Sequence, residues 1–216
     1  MQQNVQSKQN ETMNTNFLNA KKNLLKFTLL ACLALPVVSC SNDDDNNPPV
    51  NQNPMQDPLS GYLQAAGFTK SVDVKDSGIY EFGIEFVPTV DGKIKAITAK
   101  IPDVHPGMRI IIWDKATKTA IRTETIDVTS AGVEVSKEIA PLQLTKDKEY
   151  LFTFNSDDWY NHTKPDATAT IYPFTVGDIK VTNYAFISST ASETIFPTNL
   201  RNTYYAGDIS FKFQKD

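Results

Sequence analysis

The sequence predicts an all-β fold, an antiparallel β-sandwich that is either jelly-roll-like or immunoglobulin-like. Apolar and polar residues alternate along several segments, and turn-forming residues separate these segments about every 8 to 12 residues. No long amphipathic helical pattern occurs after the N-terminal region. About nine strands are therefore expected, and a closed barrel is the alternative arrangement.

The first part of the domain contains one short helical pattern and one clear strand pattern. Residues 59–67 (LSGYLQAAG) suit a short helix. The next periodic segment, IYEFGIEF, places four apolar residues on one face: Tyr80, Phe82, Ile84 and Phe86. Glu81 and Glu85 fall on the other face, and this period of two predicts a half-buried strand.

The later strands follow from the same reasoning. The segment RIIIW is apolar at every position from Ile110 to Trp113, which predicts a central strand covered on both faces. Alternation returns at Tyr150, Phe152 and Phe154, and again at Ile209, Phe211 and Phe213. Turn-forming residues separate these strands at Asp91-Gly92, Pro106-Gly107, Ala131-Gly132, Lys146-Asp147-Lys148, Gly177-Asp178 and Gly207-Asp208.

The N-terminal region has the pattern of a secretory signal. Lys21, Lys22 and Lys26 form a basic segment, and the apolar run at residues 27–38 follows it. That run is shorter than the roughly 20 apolar residues that a membrane span needs. Residues 1–39 are therefore expected to form a signal peptide, and Met13 is an alternative start to Met1.

The four residues that end this region, VVSC, resemble the lipobox of bacterial lipoproteins. The resemblance implies that Cys40 is acylated and begins the mature chain, and a membrane partner then follows because two or three acyl chains hold a protein firmly. The alternative is a buried core cysteine. Asp43, Asp44 and Asp45 are similar to the acidic patch of surface lipoproteins of the Bacteroidota, which implies the outer membrane, facing outward. A merely solvated charge run is the alternative.

Composition limits the domain organisation and the partners. Residues 41–58 contain no aromatic side chain and are expected to be a disordered tether after Cys40, with the β-sandwich domain at 59–216. Removal of residues 1–39 takes away four lysines and one glutamate, leaving 17 basic and 24 acidic residues and a net charge of −7. Nucleic acid is not expected as a partner, because phosphate binding needs a basic face.

Much of the domain is similar to one family of secreted β-sandwich proteins common in Bacteroidota. The similarity lies in DGKIKAITAKIP, RIIIWDKATKTAIRTETI, IAPLQLTKDKEYLFTFNSDDWY, IYPFTVGDIKVTNY, IFPTN and TYYAGDISFKF, and it spans about residues 78–213. The family is the domain of unknown function four-zero-eight-two. The resemblance implies a jelly-roll-like sandwich at the cell surface and supplies no catalytic residues.

The motifs of common hydrolases are missing from the sequence. After the signal peptide there are two histidines, His105 and His162, and neither an HExxH nor a GxSxG motif occurs. The chain is therefore expected not to be an enzyme. A glycoside hydrolase stays open as an alternative, because it needs only two suitably spaced carboxylates.

One polar segment is the predicted ligand site. NSDDWYNHTKP, residues 155–165, is interpreted as a loop after a strong strand, and its candidate ligand-binding residues are Asp157, Asp158, Trp159, Tyr160, Asn161 and His162. Aromatic rings beside carboxylate and amide groups can stack on a sugar and bind its hydroxyls. The alternative is that Trp159 covers the core while the aspartates face water.

Two further expectations concern the same region and its surroundings. Asn155, Asp157 and Asp158 are candidate ligands of a structural calcium ion, although they supply only part of its shell. Tyr204 and Tyr205 are candidates for a second aromatic patch, of which at most one residue is expected to be exposed, unless a bulge intervenes. The predicted function is a non-catalytic surface module for polysaccharide or oligosaccharide. The alternative is an adhesive or structural domain without a small ligand.

Overall fold

The computed structural model describes residues 52–216 and shows two antiparallel sheets packed together as a β-sandwich, which confirms the predicted fold class. In this part of the chain there are one helix and eleven strands. The helix is α1 (Leu59–Ala66), and the strands are β1 (Lys70–Pro88), β2 (Gly92–Lys100), β3 (His105–Asp114), β4 (Thr119–Val128), β5 (Val135–Leu144), β6 (Tyr150–Thr163), β7 (Phe174–Val176), β8 (Ile179–Ser189), β9 (Asn199–Arg201), β10 (Tyr204–Ala206) and β11 (Asp208–Lys215).

The two sheets differ in size. The larger has the order β4-β3-β6-β1-β8-β7, with β9 added to β8 and β10 added to β6. The smaller has the order β11-β2-β5. Their facing sides form the core, where the Phe211 ring of the small sheet lies 4.8 Å from Phe86 and 5.2 Å from Phe152 of the large sheet. The large sheet thus has more inner surface than three strands can cover.

The central strands of the large sheet are buried on both faces. Ile110, Ile111 and Ile112 are fully buried, as the apolar run of β3 predicted. The expectation of a half-buried β1 was wrong, because Glu81 and Glu85 on its outer face are 0% and 4% exposed. The chain between β8 and β9 runs across this outer face.

Two contacts fasten that crossing segment, residues 190–198. The Arg109 guanidinium donates hydrogen bonds to the carbonyls of Ala191, at 2.8 Å, and Glu193. The ring of Phe196 packs edge-on against Trp113, with centroids 5.5 Å apart. The burial of β1 on both faces therefore depends on residues more than 100 positions later in the sequence, which a local period cannot reveal.

The residues before α1 are joined to the small sheet. The backbones of Gln56 and Phe213 exchange two hydrogen bonds of 2.7 and 2.8 Å. The Asp57 carboxylate accepts bonds from Ser210 Oγ and from Lys212 Nζ, at 2.5 and 2.7 Å. Residues 53–57, placed in the tether from their composition, thus belong to the folded part.

The remaining N-terminal predictions lie outside the described residues. They are the signal peptide at 1–39, the acylation site Cys40, the acidic patch and the first part of the tether. Within residues 52–216, no helix has the length and apolarity required to cross a membrane.

Helix α1 forms where the sequence predicted a helix. Its C-terminal end is set by Gly67, whose φ of 74° is the left-handed conformation that glycine adopts without strain. Tyr62 is fully buried and packs edge-on against Tyr205, with centroids 5.1 Å apart. The helix therefore covers part of the core beside β10.

Candidate functional site

The segment predicted as a binding loop is the second half of strand β6. β6 continues to Thr163, pairing with β1 at Val74↔Trp159 and with β10 at Tyr205↔His162. The loop prediction was wrong because it relied on the polarity of the segment. The polar side chains of Asp158 and His162 are buried, and Asp158 Oδ2 and the His162 ring each have a hydrogen-bond partner within the fold.

An irregularity in β1 and β6 decides where Trp159 lies. The register runs from Lys75↔Asp158 directly to Tyr80↔Ser156, so the four residues 76–79 of β1 lie opposite the single residue Asp157 of β6. On β6, Ser156 Oγ donates to the Asp158 carbonyl at 2.8 Å and accepts from the Asp158 amide at 3.0 Å. Such a bulge can redirect the side chains that follow it. Trp159 accordingly packs on the core-facing rings of β1.

An aromatic cleft of about 180 Å³ opens beside this bulge. Its walls are five aromatic side chains with one alanine and one aspartate: Tyr80, Trp159, Tyr184, Phe186, Tyr204, Ala206 and Asp76. The rings come from β1, β6, β8 and β10, so four separate strands build the cleft. We refer to these residues together as the aromatic cleft.

The rings of the aromatic cleft are packed edge-on and stacked on one another. The Trp159 indole lies 5.8 Å from Tyr80, and Tyr204 lies 5.6 Å from Tyr184, each pair in edge-on geometry. Phe186 stacks on Tyr184 with an interplanar angle of 14°. Tyr184 is fully buried, whereas Trp159 and Tyr204 are half-buried. Rigid, partly open ring surfaces are therefore held at fixed positions.

Two tyrosines of the cleft, Tyr184 and Tyr204, stay neutral at physiological pH. Burial raises the pKa of Tyr184 well above its ordinary value, and burial also raises the pKa of Tyr204, where the nearby Arg201 guanidinium acts in the opposite direction. A neutral phenol can donate as well as accept a hydrogen bond. The cleft thus combines apolar ring faces with a few hydroxyl groups.

Asp76 is the one acid among the residues that line the cleft. Its Oδ1 accepts a hydrogen bond from the Gly78 amide at 2.9 Å, which is a local turn contact within the extra residues of β1. Within residues 52–216, the Asp76 carboxylate has no other hydrogen-bond partner. A carboxylate in this position can accept further hydrogen bonds from a ligand.

The predicted aspartates lie elsewhere. Asp157 accepts a hydrogen bond from Lys75 Nζ at 3.1 Å. Asp158 is 1% exposed, and its Oδ2 accepts a bond from the Asp103 amide at 2.8 Å. Burial raises the pKa of Asp158, and the Asp103 carboxylate adds to that rise, whereas the Asp103 amide bond lowers it. Neither aspartate lines the aromatic cleft.

The last three predicted residues are also separate from the cleft. Tyr160 lies under the ammonium of Lys100, 5.2 Å from the ring centroid. Asn161 is half-buried between its strand partners on β1 and β10. The His162 ring is 2.5 Å from an oxygen of Asp208 and stacks on Tyr205. Of the six predicted ligand-binding residues, the structure therefore places Trp159 alone in the cleft.

One further lining residue of the aromatic cleft, Tyr204, was also singled out from the sequence. Tyr204 was singled out as an aromatic patch, and the structure shows it half-buried beside a fully buried Tyr205. The sequence pattern places Tyr80 on the apolar face of β1 and does not single out Tyr184, Phe186 or Asp76. The aromatic residues at alternate positions 184 and 186 were the available signal, but alternation predicts only that they share a face.

The structure gives the three candidate calcium ligands different partners. The Asn155 amide donates to the carbonyls of Tyr80 and Thr190, at 3.3 and 3.4 Å, whereas Asp157 and Asp158 have the contacts described above. Across residues 52–216, no group of three or more histidine, cysteine or acidic residues is arranged to hold a metal ion.

No protein-family model matches this chain, and no curated protein is significantly similar to it in sequence. The resemblance to the family of secreted β-sandwich domains therefore stays a prediction.

Proposed function

We propose that the protein is a lipid-anchored surface lipoprotein whose β-sandwich binds glycan, without catalysis, in the aromatic cleft. The observation that carries the proposal is the cleft itself, in which half-buried Trp159 and Tyr204 stand beside the carboxylate of Asp76. Monomeric proteins rarely leave large rings grouped at the surface unless the group serves binding.

The chemistry of the cleft fits a sugar ring. The C–H face of a pyranose is apolar and stacks on an aromatic side chain, while its hydroxyls need hydrogen-bond partners. Trp159 and Tyr204 supply the ring surfaces, and Asp76 supplies an acceptor. At about 180 Å³ the cleft is smaller than the roughly 300–1,000 Å³ of sites that enclose a drug-sized ligand. It therefore suits one sugar unit of a longer chain.

The absence of a second lining acid supports a binding role. Glycoside hydrolysis generally uses two carboxylates about 5 to 10 Å apart across the scissile bond. Asp76 is the one acid among the lining residues of the cleft. A site with one acceptor carboxylate and several rings can hold a sugar, but it lacks the paired acid and base.

The proposed anchor rests on the sequence alone, since Cys40 lies outside the described residues. Metabolic labelling with radioactive palmitate should label the wild-type chain and not Cys40→Ala. Equal labelling of both would contradict acylation at this residue. Protease treatment of intact cells should degrade the domain if it faces outward, and protection until lysis would contradict surface display.

Glycan binding can be followed through the fluorescence of Trp159. The chain has two tryptophans, so Trp113→Phe leaves Trp159 as the single reporter. Titration of this variant with a broad panel of neutral and charged oligosaccharides should shift its emission for at least one glycan. Binding should then be measured by calorimetry for Trp159→Ala and Tyr204→Ala.

Tyr160→Ala is the matched control, because Tyr160 is the sequence neighbour of Trp159 but lies under Lys100, away from the cleft. Both cleft variants should weaken binding by about fivefold or more, as loss of a stacked aromatic costs about 1–3 kcal/mol. The control should bind normally. Thermal unfolding of each variant shows whether the fold is retained, and Tyr204→Ala serves if Trp159→Ala unfolds.

Two results would overturn the proposal. The first is an unchanged emission across the whole panel, which would favour the adhesive or structural alternative. The second is a loss of binding in Tyr160→Ala with normal binding in Tyr204→Ala, which would move the site to the other side of β6.

A further inference from the structure

A second hollow adjoins the aromatic cleft. It measures about 480 Å³, and its polar lining includes Asn183 of β8, Arg201 at the end of β9 and Asn202, which follows β9. Ile171 and Leu200 form apolar parts of its wall and are 84% and 50% exposed. We call this the Arg201 hollow.

The Arg201 side chain lies between the Arg201 hollow and the aromatic cleft. Its guanidinium carbon is 5.7 Å from the centroid of the Phe186 ring, which lines the cleft. Its charge also lowers the pKa of the Tyr204 phenol, a second lining residue of the cleft, against the larger effect of burial. Arg201 pairs with Tyr184 in the β9–β8 register. The two linings have no residue in common, and the contact between Arg201 of the hollow and Phe186 of the cleft connects the two depressions.

The two depressions carry opposite charges. Arg201 is the one charged residue that lines the Arg201 hollow, and Asp76 is the one that lines the aromatic cleft. None of the ion pairs found in residues 52–216 includes Arg201. The side chain is exposed, and its stacking on Phe186 limits its freedom. A planar guanidinium held in this way is suited to a carboxylate.

We propose that the two depressions are consecutive subsites for one acidic oligosaccharide. One sugar unit stacks in the aromatic cleft, and a neighbouring uronic acid unit places its carboxylate against Arg201. Asp76 disfavours a second negative charge in the cleft, so the acid unit is directed to the Arg201 hollow. This inference rests on the proposed function, because it specifies the glycan class that the same site would bind.

The test compares each acid with its own methyl ester, which keeps the sugar and removes the charge. The probes are tetrasaccharides of galacturonate, of mannuronate and of hyaluronan, measured by calorimetry on the full-length protein. At least one acid should bind about tenfold more tightly than its ester, as expected for one charge-assisted pair. In Arg201→Gln this preference should fall below about twofold, and Arg201→Lys should keep part of it.

Arg122→Gln is the matched control, because it removes the same charge from β4, where Arg122 pairs with Glu124 at 3.2 Å and lines neither depression. It should leave the preference unchanged. If every acid binds no better than its ester, or if Arg201→Gln keeps the full preference, the inference is overturned. If a neutral glycan still shifts the emission of Trp159 in that case, the proposed function is retained. No binding by any glycan would overturn both.

Discussion

Strand β1 contributes to two sites that contain similar residue types and differ in how completely they are closed. On the outer face, Glu81 is 0% exposed and accepts hydrogen bonds from Arg109 at 2.9 Å and Thr153 at 2.5 Å, and Trp113 donates to Thr153 at 2.9 Å. We call these four residues the outer-face network. Next to it in sequence, Tyr80 faces the aromatic cleft, where rings and a carboxylate remain open.

The difference indicates separate roles for the two sites. A buried charge is tolerated only when partners surround it, so each member of the outer-face network needs the others. In the aromatic cleft, Asp76 and the half-buried rings stay in contact with solvent, so the fold does not require other side chains to cover them. The outer-face network therefore contributes to stability, whereas the aromatic cleft stays open, as the glycan binding that we propose requires.

The largest expected effect is on stability, from Arg109→Met. This change leaves the buried Glu81 carboxylate without its cationic partner, and it removes the two bonds to residues 190–198. Loss of one member of a buried ion pair costs about 3–5 kcal/mol of unfolding free energy. Urea unfolding measures this cost.

The double variant Glu81→Gln with Arg109→Met is the control for the unpaired charge. It should recover part of the stability, because no buried charge is then left uncompensated. A cost below about 1 kcal/mol for Arg109→Met alone would contradict the importance of the outer-face network.

The two tryptophans allow a direct comparison of the sites. Trp113→Phe should destabilise the protein by about 1–3 kcal/mol, because it removes a buried hydrogen bond and leaves unfilled space around a residue that is 3% exposed. Trp159→Phe should cost less than about 1 kcal/mol, since Trp159 is half-buried. Chemical denaturation of both variants gives the two values. The opposite order would show that the cleft is part of the stabilising core.

The pH dependence of stability should reveal the buried glutamate. Burial raises the pKa of Glu81, while the bonds from Thr153 and Arg109 act in the opposite direction. Because the folded-state pKa lies above the unfolded value of about 4.3, the contribution of Glu81 is fully present below that value and is lost as pH rises through the folded pKa. The unfolding free energy of the wild type minus that of Glu81→Gln should therefore be larger at pH 4 than at pH 7.

Thermal and urea unfolding across this pH range test that expectation. A difference that grows with pH would mean that the ion pair with Arg109 lowers the pKa of Glu81 by more than burial raises it. The variant Glu149→Gln is a suitable control, because its side chain is 52% exposed. The unfolding free energy of this variant should vary with pH in nearly the same way as that of the wild type.

The smallest effect on stability is expected for Asp76→Asn. The asparagine oxygen can still accept the Gly78 amide bond, so the unfolding free energy should change by less than about 0.5 kcal/mol. Its glycan affinity should nevertheless fall severalfold, because a neutral acceptor binds hydroxyls less strongly. Calorimetry against the glycan found with Trp159 provides the measurement. Unchanged affinity would remove Asp76 from the proposed site.

The sequence alone was sufficient for the fold class and for the apolar face of β1. Alternation with period two follows from backbone geometry, because successive side chains on a strand point to opposite faces. The same period placed Phe82, Ile84 and Phe86 on one face and allowed at most one of the adjacent pair Tyr204 and Tyr205 to be exposed, which agrees with a half-buried Tyr204 and a buried Tyr205. These features depend on residues that are close together in the sequence, so they can be predicted from a single sequence.

The tertiary structure decided the rest, since burial and proximity depend on residues distant in the chain. Glu81 is enclosed because residues 190–198 cross its face, and Trp159 enters the aromatic cleft because a bulge changes the direction of its side chain. Asp76, Phe186 and Tyr204 meet there only because β1, β8 and β10 converge. No local pattern records which strands lie side by side, so the sequence could not predict which residues form the walls of the aromatic cleft.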